Sequence, residues 1–218
     1  MKMPRFQLLG EGCALLELGP GVDADFGVGA QQRLLALAEQ LRSQGLWLEV
    51  VPGRHNLGLQ FDPLRHAGAE VLARLQQAWA LCPTPAAMGA RELQIPVHYG
   101  GDAGPDLAEA AAHCGLSVAA FVDQHSAPTY EVAFLGFQPG FAYLEGLPQQ
   151  LHCPRRAEPR LRVPAGSLGI GGAQTGIYPA ASPGGWQLIG RTDLRLFDPQ
   201  RQPACLLQPG DRIRFVPQ

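Results

Sequence analysis

The sequence predicts an α+β protein with two domains, at residues 1–88 and 89–218. Two observations lead to this prediction. The first part of the chain alternates strand and helix patterns, whereas the second part contains short strand patterns separated by Pro-Gly turns. Between them, residues 82–90 (CPTPAAMGA) contain two prolines and no hydrophobic periodicity, which is typical of a linker. A chain of 218 residues is long enough for two domains.

The first domain is predicted to contain two pairs of strands. Residues 6–9 and 13–18 form the first pair, and residues 46–51 and 57–61 form the second pair. Pro52-Gly53 lies between the last two strands and predicts a turn there. The strands are short and each pair is joined by turn residues, so an antiparallel sheet is expected.

A helix is predicted after each pair of strands. In the first helix the apolar residues share one face of a 3.6-residue period: Ala30, Leu34, Leu37, Ala38 and Leu41. Gly45 suits the left-handed residue that ends this helix. The second helix follows Asp62-Pro63, and its apolar face is Val71, Leu72, Leu75, Ala78 and Trp79. Two helices on a small antiparallel sheet form a ferredoxin-like α+β layer.

The second domain begins with a predicted strand at residues 93–99. Pro105 fits the first position of a short helix that ends before Gly115, and Ser117 fits the N-cap of another helix that reaches about residue 125. From residue 130 onward, strands alternate with turns at three Pro-Gly pairs: Pro139-Gly140, Pro183-Gly184 and Pro209-Gly210. The last strand covers residues 212–216. This pattern predicts a β-barrel or a β-sandwich.

Composition and charge argue against several classes of function. The net charge is −2, so no basic surface for nucleic acid is implied. The five cysteines contain no C-x-x-C pair, and we interpret them as reduced thiols rather than a disulfide framework or a zinc site. Glu11 and Glu17 interrupt the apolar N-terminus, and no apolar run of about 18 residues occurs. We therefore expect a cytoplasmic protein that is not inserted in a membrane.

An arginine cluster is the strongest chemical signal in the sequence. Arg155, Arg156, Arg160 and Arg162 fall close together, and Arg191 ends a later predicted strand. Guanidinium groups bind carboxylates and phosphates with two parallel hydrogen bonds. The cluster is therefore either an anion-binding cleft or a set of solvated loop arginines that pair with nearby glutamates.

Other motifs are weaker. Residues 165–169 (AGSLG) resemble the G-x-S-x-G turn of hydrolases, but glycines rather than a helix follow, so a glycine-rich strand junction is the preferred interpretation. Residues 169–172 (GIGG) lack the lysine and the helix of a phosphate-binding loop. The histidines show no metal-ligand spacing. His125 ends a predicted helix, where it either caps the helix or reaches a cleft as an acid or base.

Long segments of the chain resemble one known family. Residues 131–148 (EVAFLGFQPGFAYLEGLP), 154–198, 206–215 (LLQPGDRIRF) and 95–112 are similar to the family of 5-oxoprolinase B-type subunits, which is also called the Kip-inhibitor or allophanate hydrolase subunit 1 family. The resemblance covers nearly the whole chain. It implies an N-terminal ferredoxin-like layer and a C-terminal cyclophilin-like β-barrel.

The resemblance also implies a function. Members of this family are similar to a subunit that works with a C-type and an A-type subunit to cleave 5-oxo-L-proline to L-glutamate, with hydrolysis of ATP to ADP and phosphate. Two alternatives stay open at this point: a regulatory protein that inhibits a sensor histidine kinase, and a subunit of the allophanate hydrolase or urea amidolyase type. No nucleotide-binding motif is visible, so the ATP site is expected on a partner or at an interface.

The expected site combines the motif positions with the arginine cluster. Arg155, Arg156 and Arg191 are expected to bind the anion, with Gln174 and Tyr178 as further substrate-binding candidates. His125 or Glu131 is the candidate acid or base. Four glycines are expected to shape the backbone: Gly140, Gly171, Gly172 and Gly184. No metal ligand set is expected.

Overall fold

The computed structural model describes residues 4–19, 29–83 and 91–218. The chain divides into two compact units, an N-terminal unit (Met1–Gly89) and a C-terminal unit (Ala90–Gln218). Of the expected linker at residues 82–90, all but the first two residues lie outside the described residues.

The N-terminal unit contains a four-stranded antiparallel sheet. Its strands are β1 (Arg5–Leu9), β2 (Cys13–Glu17), β3 (Glu49–Gly53) and β4 (Asn56–Gln60), in the spatial order β1-β2-β4-β3. Helix α1 (Ala30–Ser43) follows β2 and helix α2 (Gly68–Leu81) follows β4. The alternation of the strands puts one face of the sheet toward the helices, at Ala14, Leu16, Val50, Leu57 and Leu59.

The expected face of α1 is confirmed, because Ala30, Leu34, Leu37, Ala38 and Leu41 are all buried. Gly45 follows the helix with a φ of 63°, in the left-handed region as expected. In α2, the residues Val71, Leu75 and Trp79 are buried, while Leu72 and Ala78 pack at the edge of the same core. Each fully buried leucine contributes about 1.5–3 kcal/mol to stability, so these two apolar faces hold the layer together.

The order of strands and helices is a circular permutation of the usual ferredoxin-like order. A ferredoxin-like fold runs β-α-β-β-α-β. Here the chain runs β-β-α-β-β-α, as if the last strand had been moved to the front. Strands β2 and β3, which α1 connects, flank β4 in the sheet, as in the split β-α-β unit of that fold.

The C-terminal unit contains a closed barrel of seven strands. They are β5 (Glu92–Tyr99), β6 (Tyr130–Leu135), β7 (Ala142–Glu145), β9 (Ser167–Gly171), β10 (Gln174–Ile177), β12 (Gln187–Arg191) and β13 (Arg212–Pro217), in the spatial order β10-β7-β6-β13-β5-β12-β9. A separate two-stranded sheet pairs β8 (Arg160–Val163) with β11 (Ser182–Gly184). Two helices, α3 (Leu107–His113) and α4 (Val118–Ser126), and a 3-10 turn (Gln149–Leu151) complete the unit.

The barrel closes through its first and last strands. β13 pairs with β5 in parallel, while its other neighbour, β6, is antiparallel. Inward-facing side chains such as Ile95, Ile170 and Ile213 fill the barrel as a single core. The fold class is the expected one: an α+β chain with an N-terminal ferredoxin-like layer and a C-terminal cyclophilin-like barrel.

Several local expectations in the C-terminal unit are confirmed and one is wrong. Gly140 and Gly210 have φ values of 84° and 86°, as turns at Pro139-Gly140 and Pro209-Gly210 require. The hydroxyl of Ser117 accepts a hydrogen bond from the Ala120 N–H and caps α4. Pro183-Gly184, in contrast, is part of strand β11 and not a turn.

Two boundaries in the N-terminal unit also differ from expectation. The strand expected at residues 46–51 begins only at Glu49, and Leu46 and Leu48 are exposed. Pro52-Gly53 continues this strand, and the turn comes at Arg54 and His55, where His55 has a φ of 58°. The pairing of β3 with β4 therefore outweighs the local turn preference of Pro-Gly.

Candidate anion-binding pocket

A cavity of about 190 Å³ lies in the C-terminal unit, on the outer side of the barrel. In β9, Leu168 and Ile170 belong to the barrel core, so the alternating residues Gly169 and Gly171 face outward. Strand β11 and residues 155–159 supply the other side. The cavity is lined by Phe137, Phe141, Tyr143, Arg155, Arg156, Pro159, Tyr178, Pro183, Gly184, Gly185 and Trp186.

The floor of the pocket is an indole that rests on glycines. A Cβ atom at Gly171 would lie 2.4 Å from Nε1 of Trp186, and Cβ atoms at Gly169 and Gly176 would lie 3.1 and 3.2 Å from other atoms of the same side chain. Trp186 is only 5% exposed. Gly171 therefore leaves room for the indole, because any side chain there would displace the ring.

Aromatic rings form most of the remaining wall. Phe141 meets Tyr178 and Trp186 edge to face, with ring centroids 5.3 and 5.5 Å apart. Tyr143 contacts both Phe141 and Trp186. Edge-to-face rings hold each other in defined orientations. The wall is thus apolar and rigid, with the tyrosine hydroxyls as polar groups.

Gly184 belongs to this wall for a steric reason. A Cβ atom at Gly184 would lie 2.5 Å from the hydroxyl oxygen of Tyr178. The residue is needed for this close approach and not for a positive φ, because Ser182–Gly184 is paired with β8 as a strand rather than forming a turn.

The basic side of the pocket is organised by a buried carboxylate. Oδ1 of Asp106 accepts hydrogen bonds from Arg156 at 3.1 Å and from Arg160 at 2.6 Å, and its Oδ2 accepts one from the Leu188 N–H at 2.7 Å. Asp106 is 3% exposed and stands at the N-cap of α3, but it makes no capping hydrogen bond. Its carboxylate instead fixes two guanidinium groups beside the cavity.

The charge balance of this cluster is positive. Arg156 and Arg160 share the single carboxylate of Asp106, and Arg155 adds a third positive charge at the cavity wall. Nε of Arg156 and NH1 of Arg160 are buried and have no hydrogen-bond partner among the described residues. Arg155 is exposed and forms no ion pair with any residue that the structure describes. The cluster therefore keeps a net positive charge, and the exposed guanidinium of Arg155 at the cavity wall is available to an anion.

The tyrosines next to these arginines stay neutral. Burial raises the pKa of Tyr178, and a hydrogen bond with the backbone of Trp186 and the charge of Arg155 oppose this rise. Burial also raises the pKa of Tyr143, again with Arg155 acting in the opposite direction. Neutral hydroxyls can donate hydrogen bonds, so the pocket suits an anion with a small apolar body.

The structure brings four of the expected site residues into the wall of one pocket: Arg155, Arg156, Tyr178 and Gly184. Gly171 supports that wall from behind. Arg162 is exposed on β8 and does not line the cavity. Arg156 and Arg160 are paired, but with Asp106 rather than with the nearby glutamates that the second interpretation of the arginine cluster expected.

Arg191 is not brought to this pocket, which corrects the expectation of a shared cleft. It lies exposed at the far end of β12, about 16 Å along the strand from Trp186 at ~3.3 Å per residue. Its neighbours across the sheet are Ser167 and His98. The prediction that Arg191 joins the cluster rests only on its position at the end of a later predicted strand.

Gln174, Gly140 and Gly172 also lie outside the wall. Gln174 shares the outer face of β10 with Gly176, further along the strand. Gly140 permits a turn, and a Cβ atom there would lie 2.8 Å from Phe197. Gly172 has a φ of 67° and donates its N–H to the Cys153 carbonyl. Both glycines have positive φ values, and both lie outside the cavity.

His125 is inside the barrel and not in a cleft, so the expectation that it reaches substrate is corrected. It is 0% exposed and stacks on Phe215, with centroids 4.9 Å apart. Its Nε2 lies 3.3 Å from Oγ1 of Thr175, whose hydroxyl donates to the Gly169 carbonyl. Nε2 therefore carries the proton, and Nδ1 accepts the hydroxyl of Tyr99 at 2.9 Å. Burial lowers the pKa of His125 to about 3, which keeps it neutral.

Glu131 is also separate from the pocket. It lies on β6, where Glu145 of β7 and Arg212 of β13 are its neighbours across the sheet. It does not line the cavity. Neither candidate acid or base therefore lines the cavity with Arg155 and Arg156, and the polar groups in the cavity wall are these guanidiniums and the tyrosine hydroxyls.

The described part of the chain contains neither a metal-binding cluster nor a membrane-spanning helix. In residues 4–19, 29–83 and 91–218, no group of three or more His, Cys, Asp or Glu side chains could hold a metal ion. None of the helices in these ranges is long and apolar enough to cross a bilayer.

Comparisons with known proteins agree on one family. Residues 4–207 match the model of the family described as "Carboxyltransferase domain, subdomain C and D". The chain is 51% identical to the B subunit of 5-oxoprolinase from Escherichia coli O157:H7, over 100% of this chain and 98% of that protein. It is 47% identical to the B subunit of 5-oxoprolinase from Haemophilus influenzae, over 85% of this chain and 86% of the relative.

Solved structures share the fold. The protein TTHA0988 has a TM-score of 0.80 and is 38% identical over 99% of this chain, which spans 40% of the TTHA0988 chain. The urea carboxylase of Kluyveromyces lactis has a TM-score of 0.77 at 19% identity, and this chain spans 22% of its length, so that likeness concerns the fold alone. From the family match and the identity to one 5-oxoprolinase B subunit over its full length, the chain belongs to the carboxyltransferase domain, subdomain C and D family, among the 5-oxoprolinase B subunits.

Proposed function

We propose that this chain is the B-type subunit of an ATP-dependent 5-oxoprolinase, which converts 5-oxo-L-proline to L-glutamate while ATP is hydrolysed to ADP and phosphate. The observation that carries this proposal is the 51% identity to the 5-oxoprolinase B subunit of Escherichia coli O157:H7 over the whole of this chain. The basic aromatic pocket supports the same function, because 5-oxoproline is a small ring with one carboxylate.

The chemistry of the reaction explains the need for positive charge. A lactam carbonyl is a poor electrophile, because its nitrogen donates electron density to the carbonyl carbon. Phosphorylation of the lactam oxygen creates a leaving group and collects negative charge beside the substrate carboxylate. Arg155 and Arg156 lie where they would hold one of these anions, and Asp106 keeps Arg156 in place. Guanidiniums fixed in advance stabilise such charge without reorganisation during the reaction.

The size of the pocket favours 5-oxoproline over ATP. At about 190 Å³ the cavity is below the ~300–1,000 Å³ typical of pockets for drug-sized ligands. We therefore assign the pocket to the substrate ring and its carboxylate, and we place ATP on a partner chain or at an interface with it.

A complex with C-type and A-type subunits is part of the proposal. In TTHA0988 the region similar to this chain is 40% of a longer polypeptide. The same fold therefore occurs together with additional sequence in a relative, which supports a role for this chain as one component of a larger enzyme.

Reconstitution tests the proposed function. The three subunits are purified and combined, and glutamate and ADP formation from 5-oxo-L-proline and ATP is measured with and without this chain. We expect activity only in the complete mixture. Equal activity without this chain would reject the proposal. Copurification of the subunits verifies that the complex has formed.

A matched pair of variants tests the pocket within the same assay. Arg155→Ala should reduce kcat/KM for 5-oxo-L-proline by about tenfold or more, the effect of losing a charge-assisted contact. Arg191→Ala removes an exposed arginine outside the pocket and should leave kcat/KM within about twofold of the wild-type value. An effect of Arg191→Ala equal to that of Arg155→Ala would contradict the assignment of the pocket.

A further inference from the structure

Phe137 differs from the other rings of the pocket because it is exposed. Phe141, Tyr178 and Trp186 are 2%, 2% and 5% exposed, whereas Phe137 is 61% exposed. Its ring still meets Phe141 and Tyr178 edge to face, with centroids 5.4 and 6.2 Å apart. Phe137 therefore stands at the rim of the cavity with most of its apolar surface in solvent.

The backbone at Phe137 is in an unfavourable conformation. Its φ is 62°, and the Gln138 N–H donates to the Gly136 carbonyl at 2.6 Å, which closes a three-residue turn around Phe137. A positive φ is uncommon for any residue with a side chain and is unusual for a bulky one. Glycine would adopt this conformation without strain.

Surrounding hydrogen bonds impose this conformation. The Gly136 N–H donates to the Phe141 carbonyl at 3.1 Å, and the Phe141 N–H donates to the Gln138 carbonyl at 3.0 Å. The side-chain amide of Gln138 also donates to the Ala180 carbonyl at 3.3 Å. The turn is thus held on both sides. Strained residues of this kind cluster at ligand sites, where the side chain has a use that outweighs the cost.

We propose that Phe137 is a specificity-determining residue that covers the face of the substrate ring and favours the closed lactam over open-chain glutamate. This inference rests on the proposed function. With the carboxylate at Arg155 and Arg156, a five-membered ring would lie between Phe137 and the buried aromatic wall. Its methylene groups would cover the exposed surface of Phe137 and lose contact with water.

The open-chain product fits the same pocket less well. Ring opening gives glutamate a free ammonium group and a second carboxylate in place of the neutral lactam. The ammonium group would face the positive charges of Arg155 and Arg156, and the flexible chain presents no flat surface to Phe137. The pocket would therefore hold the substrate more tightly than the product.

Variants of Phe137 in the reconstituted complex test this inference. Phe137→Ala should raise KM for 5-oxo-L-proline about tenfold and change kcat by less than about twofold, because the ring binds but does not react. It should also reduce the preference for 5-oxo-L-proline over L-glutamate, measured as the ratio of KM to the inhibition constant of glutamate. Phe137→Tyr keeps an aromatic face and should stay near wild type.

Two further variants separate this effect from general damage. Phe137→Gly removes the same ring but relieves the positive φ, so its thermal midpoint should exceed that of Phe137→Ala while its KM rises equally. Leu161→Ala removes an apolar residue that is 92% exposed but does not line the cavity, and it should leave KM unchanged.

The outcomes distinguish this inference from the proposed function. An active Phe137→Ala complex with unchanged KM would overturn the inference and leave the function intact. Loss of copurification with the partner chains in Phe137→Ala would also overturn it, because Phe137 would then be a contact between subunits. A wild-type complex that does not convert 5-oxo-L-proline would reject the function. In that case, calorimetric titration of the complex with 5-oxo-L-proline decides: weaker binding by Phe137→Ala supports the inference, and no binding by wild type overturns it.

Discussion

Replacing Asp106 with asparagine should weaken both the C-terminal unit and its anion pocket. The carboxylate accepts hydrogen bonds from Arg156, Arg160 and the Leu188 N–H, and it is 3% exposed. Asparagine has the same shape but no charge. Its side-chain amide also offers one acceptor oxygen in place of two, so an N–H group must face one of the three donors.

The magnitude follows from the burial of the three partners. A hydrogen bond to a charged group contributes ~1.5–3 kcal/mol, and breaking a buried ion pair costs ~3–5 kcal/mol. The side chains of Arg156 and Arg160 are 32% and 25% exposed, so water replaces part of what is lost. We therefore expect the free energy of unfolding to fall by about 2–4 kcal/mol.

Asp211→Asn provides a matched control. Asp211 is 5% exposed, and it also accepts hydrogen bonds from an arginine, Arg91, and from a backbone N–H, that of Gln208. It does not line the pocket. Urea denaturation should show similar losses of stability for the two variants. In the reconstituted enzyme only Asp106→Asn should raise KM for 5-oxo-L-proline, by about tenfold, because only that change frees the arginines of the pocket.

Two results would refute this reasoning. The first is a loss of stability below about 0.5 kcal/mol in Asp106→Asn, the range expected of an ordinary surface change. The second is a KM effect that is equal in the two variants, since it would come from general destabilisation. A lower KM in Asp106→Asn would show that this carboxylate competes with the substrate anion rather than positioning the guanidiniums.

Three other predictions concern the pocket floor, the pocket wall and the barrel core. Gly171→Ala should cost about 1–3 kcal/mol of stability and change the tryptophan fluorescence, because the new methyl group collides with Trp186. Gly184→Ala should push the Tyr178 hydroxyl aside and raise KM in the enzyme assay with little change in kcat. Acid should destabilise the native state through His125, because burial lowers the pKa of this side chain to about 3 from its usual 6.5. Between these pH values the unfolded chain binds a proton that the native chain does not. The free energy of unfolding should therefore fall as the pH decreases below about 6.5, by about 2 kcal/mol at about pH 5.

Each of these three predictions has a control variant in the same chain. Gly58→Ala places a methyl group 3.8 Å from the nearest atom, an ordinary contact, and should change stability by less than about 0.5 kcal/mol. Gly210→Ala strains a turn with no atom within 4 Å of its Cβ, so it should lower stability without changing KM. His125→Gln lacks the titrating ring, and urea unfolding at two pH values should show a smaller loss with acid than in the wild type.

The elements that depend on local patterns could be predicted from the sequence. The buried face of α1 follows directly from the spacing of Ala30, Leu34 and Leu41, and the cap at Ser117 follows from its side chain. The ferredoxin-like layer could also be predicted, because each strand and helix in it has its own periodic pattern of apolar residues. The many short strands predict a β-barrel or a β-sandwich, and they do not decide between them because closure depends on long-range pairing that no local pattern records.

The site was only partly predictable because its parts are distant in sequence. Arg155 and Arg156 were recognised through their spacing. Asp106, which holds Arg156, lies 50 residues earlier, and its position at a helix start resembles an ordinary N-cap. His125 was misplaced because a helix-ending histidine has the same sequence pattern whether it faces solvent or a barrel core. The positive φ at Phe137 has no sequence signal, because this backbone conformation is typical of glycine and residue 137 is a phenylalanine.

The position of β13 in the barrel affects how the C-terminal unit folds during its synthesis. β13 (Arg212–Pro217) lies between β5 and β6, although both of those strands precede it by many residues in the chain. Until residues 212–217 have left the ribosome, β5 and β6 remain unpaired edges whose free N–H and C=O groups can recruit strands from other nascent chains. Because synthesis proceeds at ~5–20 residues per second, the unit passes several seconds in this open form. Overexpression at low temperature or with chaperones that bind exposed strands should therefore improve the yield of folded protein.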